Sequence, residues 1–321
     1  MKKIVSFSGG RTSAYLCYWM KEFFGDDVDF VYMDTSAEHP KTYEFIKKVN
    51  DQLGLRLTCL QGNFNQPVGV GHTYDVVDVN DLKCDLKVYR ELVSKYGTPS
   101  VVSGWCTSRM KEDVHDMYCD DMYGEGNYVT WLGIRADEPK RLKNVGKRDD
   151  LRYMAEIIEA DKEEVLNFWS EQPFDLEIPE WLGNCVFCFK KSNLKLAMAT
   201  FDEPELLKNW SEMIGGDEVR RLINQAKASM ARKGVKKYSR NLIIKNKSFK
   251  LNHAIRNYNS KLVSKYIKQS SLEIYRRGLT IDDIITSFDG STGREIKARI
   301  RGSHMIDDSM CSESCEVFVN E

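Results

Sequence analysis

The chain has 321 residues, room for one large domain or a core with an appendage, and its 42% hydrophobic and 30% charged residues exclude disordered, collagen-like and coiled-coil readings. No apolar run approaches the ~18 residues of a membrane-crossing helix. The start, MKKIVSFSGG, is interrupted by glycine too early for a signal peptide, so a soluble, cytoplasmic protein is expected.

The apolar runs KIVSF (3–7), VDFVYMD (28–34) and LRLTCL (55–60) alternate with helical patterns over 12–24 and 40–53. That order predicts a parallel sheet with crossover helices, an α/β beginning. Further helices are expected over 85–96 and 107–119, then a buried strand at YVTWLGI (128–134) that ends in a polar loop. After Asp161 the segment DKEEVLNFWSEQ reads as an N-capped amphipathic helix, and the remainder to about 300 as mostly helical.

The formal charge of -1 hides a division along the chain. Residues 220–301 hold 21 Lys or Arg against five Asp or Glu, which leaves 26 basic and 43 acidic residues elsewhere. The basic stretch interleaves its cations with Tyr238, Phe249, Tyr258, Tyr266 and Tyr275, the mixture that contacts phosphates and stacks on bases. Its alternative reading is a set of helix faces docked on the acidic half. The charge shift places a boundary near 217, dividing the chain into 1–217 and 218–321.

Chemistry concentrates in a few segments. Ser8-Gly9-Gly10-Arg11-Thr12-Ser13 lies between the first strand and the first helix. There glycine lets the backbone approach a ligand, and a helix N-terminus presents free N–H groups to an anion, which suits phosphate. Nine cysteines in a long chain without an export signal argue for thiols, metal ligands or redox chemistry rather than a disulfide framework. Cys17, Cys59, Cys84 and Cys119 read as structural, and Cys185-Val186-Phe187-Cys188 as a metal-binding turn, a redox pair or an accident of spacing. The five histidines show no metal-ligand spacing, and none is assigned a catalytic role.

The loop resembles that of the PP-loop ATP pyrophosphatases, usually SGGxDS, and the chain is more similar to their branch of phosphoadenosine phosphosulfate (PAPS) and adenylyl-sulfate reductases. Three more segments carry the resemblance: Tyr32-Met33-Asp34-Thr35-Ser36-Ala37-Glu38-His39-Pro40-Lys41-Thr42, Gly133-Ile134-Arg135-Ala136-Asp137-Glu138-Pro139-Lys140-Arg141, and Trp105-Cys106-Thr107-Ser108-Arg109-Met110-Lys111. It covers roughly residues 1 to 200 and implies an adenine nucleotide alpha hydrolase-like sheet, mostly parallel and flanked by helices, with a basic, mainly helical C-terminal region. By that resemblance Ser8, Gly9, Gly10, Arg11, Thr12 and Ser13 cradle phosphates and Asp34 lies near the ribose and adenine. Arg135 and Arg141 neutralise the reacting phosphate, with Asp137 and Glu138 beside them. Thr12 stands where the family usually has Asp, so Asp34, Asp137 and Glu138 become the candidates for magnesium oxygen ligands.

The resemblance also implies a metal centre. Cys185 follows Cys106 by 79 residues, close to the family's cluster-binding spacing. Cys106, Cys185, Cys188 and Cys315 are therefore expected to hold a 4Fe–4S cluster, with zinc as the alternative and Cys311 or an open position as alternatives for the fourth ligand. Trp105 replaces the first of the reductases' paired cysteines, and their terminal ECGIH-type segment is absent.

The expected activity is ATP-dependent, with Mg2+: adenylation of an acceptor, nucleic acid such as tRNA or DNA gripped through 220–301, for sulfur transfer or a related modification. A thiol or sulfur-donor protein is a further expected partner, and no membrane is. The alternatives are a PAPS or adenylyl-sulfate reductase with Cys311 or Cys315 as nucleophile, and a non-catalytic nucleic-acid-binding protein with a vestigial nucleotide site.

Overall fold

The computed structural model describes residues 1–67, 69–100, 104–215, 287, 291 and 293–303. Its centre is a six-stranded sheet of β1 (Lys2–Phe7), β2 (Val28–Asp34), β3 (Thr58–Asn63), β4 (Thr73–Val77), β5 (Tyr128–Leu132) and β6 (Leu151–Tyr153). The spatial order is β4-β3-β2-β1-β5-β6, with every pairing parallel except the antiparallel β3–β4. The helices with described residues are α1 (Arg11–Phe24), α2 (Pro40–Leu53), α3 (Lys87–Tyr96), α4 (Asp113–Tyr123), α5 (Lys162–Ser170), α6 (Asn193–Asp202), α7 (204–215) and α8 (Gly293–Ser303). The expected α/β class and its opening β-α-β-α-β order are present.

The central strands are apolar on both faces because both are covered. Along β1, Val5 and Phe7 join the core with α1, α2 and α5, while Ile4 faces Val114, Tyr118 and Cys119 of α4. Cys17, Cys59 and Cys119 are buried in these two cores, as small hydrophobes should be. Helix α8 joins the larger core through Ile296, and its Gly293 lies against the ring of Phe201 in α6.

Some boundaries differ from expectation for local reasons. The third strand starts at 58 rather than 55 because Arg56 takes a φ of 53° as the chain turns out of α2. Helix α3 starts at 87 because Leu86 is left-handed, with a φ of 58°. The helix expected over 107–119 opens as a π-helical turn, Ser108–Glu112, before continuing as α4 to Tyr123. Strands β4 and β6 carry weak sequence signals: β4 is largely exposed, and β6 is three residues paired with β5 from Thr130↔Leu151 to Leu132↔Tyr153. The boundary near 217 and most of the basic stretch, together with Cys311 and Cys315, lie outside the described residues.

Going outward from β1, the strand order runs one way through β2 and β3 and the other through β5 and β6. The order therefore reverses between the carboxyl ends of β1 and β5, the usual ligand position in open α/β sheets. Trp169 of α5 closes one flank: it is buried among Phe45 and Phe174, and its indole N–H donates to the Arg11 carbonyl at 2.9 Å. Trp169→Ala is expected to cost about 3–5 kcal/mol in urea unfolding, the usual range for a large aromatic removed from a core.

Candidate functional site

The loop after β1 is built by backbone freedom and two serines. Gly9 turns with a φ of 81°, and a Cβ there would lie 3.0 Å from Cδ1 of Ile46, so both the turn and the packing call for glycine. Gly10 is the N-cap of α1 with no side-chain cap, and no acidic residue stands in the first turn. The orphan N–H groups and positive dipole end of that turn are thus left for an anion. Ser13 is fully buried and braces the turn: its hydroxyl donates to the Gly10 carbonyl at 3.1 Å and accepts from the Ser8 N–H at 3.1 Å. The two hydroxyls of Ser8 and Ser13 are 2.8 Å apart.

Thr12 and Arg11 take different directions. Buried Thr12 accepts a hydrogen bond from Nη1 of Arg135 at 3.2 Å. Arg11 instead makes a two-pronged pair with Asp175, Nε to Oδ1 at 2.7 Å and Nη2 to Oδ2 at 2.9 Å, and also donates to the Leu176 carbonyl. The expected phosphate-loop residues are therefore contiguous, but the Arg11 guanidinium is already engaged by a carboxylate.

The segment after β5 reaches this loop because residue 133 is glycine. A Cβ on Gly133 would sit 2.7 Å from Cα of Ser13, too close for any side chain. Beyond it Arg135 is buried, its Nε donating to Asp137 Oδ1 at 2.8 Å. Glu138 lies between the two arginines: Oε2 accepts from the Arg135 backbone N–H at 3.1 Å and Oε1 from Arg141 at 2.7 Å. Burial alone would raise the Glu138 pKa, but Arg141 and then Arg135 outweigh it and hold the carboxyl below its ordinary value. This carboxylate stays ionised and orders two cations, which makes it a positioning group.

Asp34, at the end of β2, is fully buried. Its Oδ1 accepts from the Ser36 N–H and the Tyr43 hydroxyl, each at 2.8 Å, and its Oδ2 from Gln61 at 2.7 Å. Burial raises its pKa against those three donors. Asp34, Asp137 and Glu138, the candidates for magnesium, are thus each engaged by donors of the protein itself.

The cysteine segment sits beside the same edge of the sheet. Cys185 forms an antiparallel bridge with Glu38, and the Val186 N–H donates to the Ala37 carbonyl at 3.1 Å. The turn closes with the Cys188 N–H on the Cys185 carbonyl at 3.1 Å, and buried Lys191 donates to the carbonyls of Trp181 and Val186 at 2.7 and 2.9 Å. The Cys185 thiol faces Oε1 of buried Glu38 at 3.8 Å, and burial, then Glu38, push its pKa well up. Among the described residues no three His, Cys, Asp or Glu side chains gather as a metal site. Cys315, the fourth expected ligand, lies outside them. No step below is routed through a metal centre.

Sequence reading missed Glu38, Gln61, Tyr43, Lys191 and Asp175 as parts of this edge. Glu38 lay inside a segment already singled out; Asp175 stands 164 residues from Arg11 with no local signal. Because the folded pKa of Glu138 lies below its ordinary value of 4.5, its stabilisation is present above that value and lost as pH falls through the folded one. Glu138→Gln should therefore lower stability by about 1–3 kcal/mol at neutral pH. The deficit relative to wild type should shrink in urea titrations carried to acid.

Among the described residues no helix is long and apolar enough to cross a membrane. The "Uncharacterized nin region protein ORF290" of Escherichia phage lambda is 48% identical over 225 residues, which cover 68% of this chain and 77% of that protein. The "Uncharacterized protein MJ0066" of Methanocaldococcus jannaschii is 24% identical over 135 residues, 42% of this chain and 23% of its relative. Residues 2–146, which carry the GG loop, the Asp34 strand end and the Arg135 segment, match the phosphoadenosine phosphosulfate reductase domain, and the chain belongs to that PAPS reductase-like family.

Proposed function

We propose that the protein is an ATP pyrophosphatase that adenylates an acceptor, in nucleic acid, for sulfur transfer or a related modification. The observation that carries this reading is the Thr12–Arg135 hydrogen bond, which joins the glycine loop to the arginine segment at the sheet's switch point. An anion seated on the first turn of α1 meets free N–H groups on one side and the cations of Arg135 and Arg141 on the other.

In the proposed reaction an acceptor oxygen attacks the α-phosphorus of ATP. The new P–O bond forms as the bond to the β-phosphate oxygen breaks, and pyrophosphate leaves with the electron pair. A sulfur nucleophile then displaces AMP from the activated acceptor, the purpose of adenylation being to make that oxygen a good leaving group. Arg135 and Arg141 offset the charge that builds on the reacting phosphate, and Glu138 keeps both in place. Mg2+ enters with ATP as part of the substrate. The acceptor is held through residues 220–301 by their excess of Lys and Arg, and a thiol or sulfur-donor protein supplies the sulfur. A 4Fe–4S centre, or zinc in its place, drawing on Cys106, Cys185, Cys188 and Cys315 belongs to the same proposal but takes no part in the adenylation step.

A second reading, release of sulfite from phosphoadenylyl or adenylyl sulfate, is favoured by the family to which residues 2–146 belong. There a cysteine thiolate attacks the sulfur and a second thiol releases sulfite. The two are separated by anaerobic incubation with α-labelled ATP and magnesium, with and without tRNA or DNA. AMP and pyrophosphate released in response to one nucleic acid support adenylation and identify the acceptor class. Their absence under every condition, with thiol-dependent sulfite release from an adenylyl sulfate, replaces it by the reductase; salt-sensitive nucleic-acid binding with no turnover leaves a binding protein. Arg135→Ala is expected to slow product release by about a hundredfold or more, as loss of a charge-stabilising donor does.

A further inference from the structure

The loop that should receive phosphate already contains an anion. Asp175 stands against Arg11, the first residue of α1, and its carboxylate forms two parallel hydrogen bonds with the guanidinium at 2.7 and 2.9 Å. That is the geometry in which arginine also grips a phosphate. The two partners are unequally placed: the Arg11 side chain is 14% exposed and that of Asp175 37%. Arg11 is fixed from behind by its carbonyl, which accepts the Trp169 indole N–H. Asp175 lies on the segment between α5 and the cysteine turn, where Leu176 and Ile178 are buried; its Oδ1 also accepts the Leu176 N–H at 2.6 Å, so displacing it means turning the carboxylate outward from that bond as well, on a backbone that stays anchored.

Resting on the nucleotide reading above, we propose that Asp175 is an internal place-holder: it keeps Arg11 charge-paired in the free protein, and a nucleotide phosphate displaces it. A bare guanidinium beside the positive end of α1 would be costly to leave unpaired in a partly buried position. The resident carboxylate removes that cost, and in return every incoming phosphate must compete for Arg11. Nucleotide affinity is thereby held below what the loop could give, and weak anions such as inorganic phosphate are excluded. Thr12, the neutral hydroxyl that follows, engages Arg135, so Arg11 and Arg135 are partnered separately.

The test is isothermal titration of the full chain with ATP, inorganic pyrophosphate and adenosine, for wild type, Asp175→Asn, Asp175→Ser and Asp175→Asn combined with Arg11→Gln. The expected result is binding of ATP and pyrophosphate at least about fivefold tighter in both single Asp175 variants, the lower end of typical coupling between competing ligands. Adenosine affinity should be unchanged, and the gain should vanish in the Arg11→Gln background. Serine serves as the second variant because a small hydroxyl folds without offering an amide to the Leu176 carbonyl. ATP binding that is equal or weaker in both single variants overturns the place-holder and leaves the nucleotide reading standing, and so does a gain that persists without Arg11. Failure of ATP and pyrophosphate to bind any variant, wild type included, overturns the nucleotide reading and this inference with it.

Discussion

The close approach of β5 to the first turn of α1 is the contact on which the site depends. Gly133 lies so near Ser13 that no side chain can stand there, and this proximity brings Arg135 within reach of Thr12. Parallel strands on either side of β1 produce the approach, since their carboxyl ends emerge together where the strand order reverses.

Around that contact the protein assembles its charges in matched sets. Arg135 and Arg141 are set against Asp137 and Glu138, and Arg11 against Asp175. Buried or half-buried cations without partners would be costly, and the protein supplies an anion for each. In the proposed reaction an incoming phosphate would therefore meet positioned cations rather than free ones. The proposed adenylation would ask the same of them, because charge stabilisation works best when its dipoles need no rearrangement as the transition state forms.

The edge next to it follows a different logic. Asp34 receives three donors while buried, and Glu38 meets the Cys185 thiol across an isolated bridge. Ser36 and Asn184, in the segments on either side of that bridge, both adopt left-handed backbone, with φ of 55° and 56°. Non-glycine residues held in that region are kept there by their surroundings, here by the Val88 N–H on the Ser36 hydroxyl and the Leu86 N–H on its carbonyl. The cysteine turn is thus tied to the end of β2 by backbone as well as side chain.

The sequence by itself determined the alternation of strand and helix, the glycine loop after the first strand and the segments that share its edge. Each of these is local: apolar periodicity, a glycine pair and contiguous polar residues are visible without a fold. It also pointed to Arg135, Glu138 and Arg141 through the motif that contains them, although not to their division of labour. Tertiary structure alone decided that Arg11 pairs with Asp175, that Glu38 faces Cys185 and that Thr12 receives Arg135. These partners lie more than a hundred residues apart, and only the order of strands in the sheet brings them together. The short strands β4 and β6 were hidden for a related reason, because hydrogen bonding to a neighbour, and not their own composition, makes them strands.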